Sequence, residues 1–135
     1  MQIISINWWA ILVAVIPSFV VGGLWYSPAL FLGSWLEMSG VSKPQFNAGF
    51  PRALLGDLVS AIIMALVLDH LIHACNVAGL AQGLFLAFCI WLGFVATILL
   101  GSVTYEHRPF TFFAINAGYR LITMLLMGAV LTLWG

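Results

Sequence analysis

LAQGLFLAFCIWLGFVATILLGS, residues 80–102, runs for 23 positions without one Asp, Glu, Lys, Arg or His. Crossing a hydrocarbon core about 30 Å thick takes roughly 20 apolar residues in an α-helix, so an uncharged run of this length predicts a membrane span. Three further stretches qualify on the same ground, at about 6–28, 52–74 and 110–134, and the four together use most of the 135 residues. An α-helix satisfies its own backbone donors and acceptors in lipid, and no ten-residue alternation points to a barrel. The expected fold is all-α: a single domain over 1–135, built as a bundle of four transmembrane helices.

Composition agrees. The chain is 64% apolar and 6% charged, with a mean hydropathy of +1.15, whereas a soluble domain carries about 25% charged residues. A formal net charge of zero leaves no basic field for nucleic acid. Cys75 and Cys89 form no CxxC pattern and fall at different predicted depths, which argues against a disulfide framework. The partner that composition itself requires is the lipid bilayer.

Residues 29–51 hold Pro44, Pro51, Gly33, Gly40 and Gly49 and predict a long first loop. Within it, Phe31, Leu32, Trp35, Leu36 and Met38 surround Ser34 and Glu37, a pattern that suits either a short interfacial helix or a linker with aromatic anchors. Lys43, Arg52 and Arg108 all fall in the first and third loops. Short cationic loops stay in the cytoplasm, so both termini are expected outside. The first span lacks a basic n-region and a small-residue cleavage site and is expected to be retained.

Helices in lipid associate through small residues and a few polar contacts. Stripes at four-residue spacing are Ala10, Ala14, Ser18 and Gly22 in the first span; Asp57, Ala61, Ala65, Asp69 and His73 in the second; Cys89, Gly93, Thr97 and Gly101 in the third. The fourth has a polar face of Asn116, Tyr119, Arg120 and Thr123, with Gly128 further on. Pro17 removes the bond to the Val13 carbonyl and predicts a kink.

An unpaired charge at the centre of a membrane helix costs roughly 2.5 to 3.5 kcal/mol on insertion scales, so intramembrane ionisable groups carry the most information. Counting 1.5 Å per residue from the cytoplasmic edge puts Arg120 about 15 Å deep, Asp57 about 8 Å and Asp69 about 25 Å. Arg120 is expected to pair with one of these aspartates, with Asn116 and Tyr119 as hydrogen-bond support. The pair reads either as a clamp between helices or as a substrate anchor. Asp69, His70 and His73 share one end of the second span at a spacing able to hold Zn²⁺ or Cu²⁺, although histidines near a helix C-terminus are also favoured by the dipole. Glu106, His107 and Arg108 read as a solvated turn. No GxSxG, HExxH, P-loop or GxGxxG occurs, so no catalytic residue and no cofactor beyond that possible metal is indicated.

The chain resembles the small bacterial membrane proteins grouped as the domain of unknown function numbered 1761. The likeness rests on Asn7 and Trp8; on the run Gly23, Leu24, Trp25, Tyr26, Ser27, Pro28 with Phe31 and Trp35 after it; on Gly93 and Phe94; on Glu106 and Arg108; and on Asn116, Tyr119 and Gly128. Where the family pattern has glycine directly after the phenylalanine, this chain has Leu32 and then Gly33. The resemblance implies four spans in a bacterial membrane and no particular activity. Three functions stand open: a transporter- or channel-like homo-oligomer using the polar intramembrane residues, a non-catalytic accessory subunit of a larger membrane complex, and a metal-binding membrane protein.

Overall fold

Asn7 starts the first helix by accepting the Ala10 N–H on its side-chain oxygen at 3.3 Å, which satisfies one of the donors a helix start leaves open. The computed structural model describes residues 7–27 and 30–134; Ile6, where the first predicted span begins, and Pro28 of the Trp-Tyr-Ser-Pro run lie outside the described residues. The elements in order are α1 (Trp8–Trp25), α2 (Leu32–Ser39), α3 (Lys43–Ala74), α4 (Leu80–Thr104) and α5 (Phe110–Trp134). Four of them, all but α2, are long and apolar enough to cross a membrane.

The expected first loop is mostly helical. α2 forms where the short amphipathic pattern lies, and it stops at Gly40, whose φ of +77° is left-handed and suits a residue without a side chain. Arg108 closes this end by donating from Nη1 to the Met38 carbonyl at 2.7 Å, so the first and third loops share one end of the molecule. α3 then begins at Lys43, not at residue 52 as expected. The reason is a capping box that the proline and glycine content concealed: Ser42 accepts the Gln45 N–H at 3.3 Å and the Gln45 side chain accepts the Ser42 N–H at 3.1 Å. Pro44 falls in the first turn, where its missing N–H costs nothing. Pro51 stays inside the helix and leaves the Asn47 carbonyl without its helical donor.

α5 is the hub: it packs on α1, α2, α3 and α4, whereas α3 and α4 barely meet. The predicted small-residue stripe of α1 is buried at Ala10, Ala14 and Ser18, and that of α3 at Ala61, Ala65 and Asp69. The α4 stripe is a correction, because Cys89, Gly93 and Thr97 are exposed and the contact is made by Gly83 and Ala87. A Cβ at Gly83 collides with Thr132 of α5, and one at Gly128 lies 3.0 Å from the Ala87 methyl. Past this contact α4 widens into a π-helical turn at Trp91–Ala96, beside which the Thr97 hydroxyl takes up the Gly93 carbonyl at 2.9 Å.

α3 is held by one half only. Its buried residues are Ala61, Ala65, Leu68, Asp69 and Ile72, while every residue from 51 to 60 is exposed. The free half stands away from α1 and α5, and near its start Phe46 meets Trp35 of α2 at 5.8 Å between ring centroids.

Candidate functional site

The gap left by the free half of α3 is a cavity of about 650 Å³ at the α2 end of the bundle. α1 supplies Ser18, Phe19, Gly22 and Gly23 to its wall, with Tyr26 and Ser27 just beyond; α3 supplies Phe46, Asn47, Phe50, Leu54 and Asp57; α5 supplies Asn116, Tyr119 and Arg120. The residues from α5 recur at helical spacing because positions one turn apart share a face.

Trp35 of α2 touches both charged walls: its ring lies 5.8 Å from Phe46 of α3 and 6.3 Å from Phe112 of α5, and Asp57 and Arg120 line the cavity further along the same two helices.

The expected Arg120–aspartate pair is not formed. Among the described residues the ion-pair contact within 4.0 Å is His73 with Asp69, at 3.4 Å. Asp57 and Arg120 line the same cavity without meeting, and Asp69 belongs to the clamped half of α3. Arg120 instead lies over the Tyr119 ring, 5.1 Å from its centroid.

The expected support from Asn116 and Tyr119 goes to α1. Tyr26 donates its hydroxyl to Asn116 Oδ1 at 2.7 Å, and Tyr119 donates to the Ser18 carbonyl at 2.9 Å. Two tryptophans hold the backbone around Asn116: Trp25, named in the sequence only within the run that carries the family resemblance, and Trp91, which sequence reasoning does not single out. Trp25 Nε1 donates to the Ile115 carbonyl at 2.8 Å and Trp91 Nε1 to the Ala117 carbonyl at 2.9 Å. No spacing signal reveals these bonds, since they join residues 90 and 26 positions apart.

Asp69, His70 and His73 do share one helix end. The His73 Nδ1 is 2.8 Å from the Asp69 carbonyl, which occupies that ring nitrogen locally. Among the described residues no three His, Cys, Asp or Glu side chains converge as a metal set. Of the motif residues, Trp8 and Glu106 are exposed, Asn7 caps α1, Ser27 returns its hydroxyl to the Leu24 carbonyl at 2.7 Å, Tyr26 and Trp35 line the cavity, and Trp25 packs on Phe31. The third loop is not wholly solvated, because Arg108 is half-buried on Met38 and Phe112.

Residues 9–132 match the family described as "Protein of unknown function (DUF1761)". The chain belongs to that family. No curated protein and no solved structure matches it.

Proposed function

We propose that this family member is a multi-pass protein of a bacterial cytoplasmic membrane, with both termini outside, that binds a small polar solute in the α1–α3–α5 cavity and conducts it across the bilayer as a homo-oligomer. One observation carries the reading: Asp57 and Arg120 line a single cavity without pairing. Two opposite charges set in apolar helices and left apart are costly unless water or a ligand completes them. A volume of about 650 Å³ falls within the roughly 300–1,000 Å³ of small-molecule sites. The orientation follows from Lys43, Arg52 and Arg108, which put the cavity mouth on the cytoplasmic side. Four helices rarely enclose a full path, which is the reason for invoking symmetric copies.

The test is release of radiolabelled amino acids and small organic acids from preloaded proteoliposomes. Wild-type protein is expected to release at least one of them about tenfold faster than protein-free vesicles, and Asp57→Asn and Arg120→Gln to abolish the difference. Equal release from all four preparations overturns transport. A second reading, an accessory subunit of a larger complex, draws on the exposed stretch 51–60, where Leu54, Leu55, Leu58 and Val59 are large apolar side chains outside the packed core. The mass of the particle purified in mild detergent separates the two: several copies of this chain alone support the first reading, and co-purifying subunits in fixed ratio support the second.

A further inference from the structure

Taking the cavity as a binding site, we propose that its ligand is dipolar, with an anionic group held by α5 and an ammonium group held by Asp57 of α3. The two walls differ in chemistry. On α5, Arg120 presents five N–H donors in a planar fork that matches a carboxylate or phosphate, and its stacking on Tyr119 leaves the fork edges unspent. Asn116 lies one turn before it on the same face. The bond from Tyr26 to Oδ1 fixes which way the Asn116 amide faces and leaves both of its N–H donors open, beside one lone pair on the oxygen. Tyr119, whose hydroxyl is committed to the Ser18 carbonyl, keeps this wall fixed to α1. The α5 wall therefore offers donors to an anion.

On α3, Asp57 offers acceptors when ionised. The formal charges of the two walls cancel. A purely anionic ligand neutralises Arg120 but adds repulsion from Asp57, and a purely cationic one does the reverse. Either leaves net charge in apolar surroundings, where an uncompensated ion is expensive. A ligand carrying both signs satisfies both walls and leaves the site neutral. Phe50 and Leu54 line the wall beside Asp57 and give an apolar body a place to pack. Two sources share this chemistry: a free amino-acid zwitterion, and a lipid headgroup joining a phosphate to an ammonium.

The experiment follows thermal unfolding of the full chain in a neutral maltoside detergent, titrated with five probes. L-phenylalanine is the amino-acid arm, glycerophosphoethanolamine and dihexanoyl phosphatidylethanolamine the headgroup arm, and 3-phenylpropionate and 2-phenylethylamine carry one charge each. At least one dipolar probe is expected to bind ten times or more tighter than both single-charge compounds, and the arm that does so identifies the source. Asp57→Asn should bring 3-phenylpropionate to within about threefold of that probe, and Arg120→Gln should do the same for 2-phenylethylamine. Should either variant fail to fold, Asp57→Glu and Arg120→Lys keep the charges and are expected to retain the preference with affinity weakened about five- to tenfold. If 3-phenylpropionate binds the wild type as tightly as every dipolar probe, the dipolar ligand is overturned and the cavity as a solute site stands. If no probe shifts the wild-type transition, the dipolar ligand is overturned, and the vesicle assay decides the broader reading separately.

Discussion

Trp25 and Trp91 come from different helices, yet they bond the carbonyls immediately before and after Asn116. Gly118 makes room for the first of them, since a Cβ there lies 3.1 Å from Trp25 Cζ2. Trp91→Phe keeps an aromatic ring and loses the N–H, so thermal unfolding in detergent should show a loss of about 1 kcal/mol, the net value of one such bond. Gly83→Ala drives a methyl into Thr132 and should cost about 1–3 kcal/mol by overpacking, most of it recovered in Gly83→Ala with Thr132→Ala. If the double variant is no more stable than the single one, the close approach of α4 and α5 is misplaced. Arg120 is conspicuous in the sequence because a guanidinium in an apolar helix is rare. Its lack of a carboxylate partner is not legible there, because that depends on how far α3 stands away. With no buried pair to break, Arg120→Gln should change the unfolding free energy by about 1 kcal/mol or less, against the roughly 3–5 kcal/mol of stranding a buried partner.

Periodicity locates the helices better than their contacts. The start of α3 is hidden because Pro44, Gly49 and Pro51 outweigh the Ser42–Gln45 capping box, which two residues at the right spacing specify and a composition count overlooks. The contact face of α4 is hidden because a π-helical turn changes the residues per turn, so four-residue spacing does not carry from Gly83 and Ala87 through Trp91–Ala96. α2 is one of the two readings its pattern allows, and the structure shows what Trp35 does: its ring meets those of Tyr26 at the end of α1, Phe46 of α3 and Phe112 of α5. Trp35→Ala removes all three contacts. The expected loss is about 2 kcal/mol, less than the roughly 3–5 of a fully buried tryptophan because Trp35 is half-buried. Cleavage between α2 and α3 by added protease should accelerate, and an unchanged rate argues that α2 is held by Arg108 alone.

At the scale of the whole chain, four long apolar helices and their order are plain from hydropathy, since each needs only length and a scarcity of charge. The cavity is not plain, because it arises from a mismatch between helices and not from any one of them. Cys75 at the end of α3 is exposed and gives a direct probe of orientation. With Cys89→Ser, an impermeant maleimide should label Cys75 in intact cells, whereas Lys43→Cys in a chain lacking both native cysteines should label only after lysis. The reverse pattern inverts the proposed topology. One further effect follows from α3 being gripped by only one of its halves. The helix is a lever: from Ala65 to Phe46 its arm is about 28 Å, so a tilt of about 5° carries the Phe46 end through about 2.5 Å. Helix tilt answers to bilayer thickness, and a spin-label distance between position 47 on α3 and position 111 on α5 should therefore lengthen or shorten with acyl-chain length in nanodiscs, while a pair at positions 67 and 126 stays constant. Lipid composition then acts on this protein as a caliper, setting how wide its binding chamber stands before any ligand arrives.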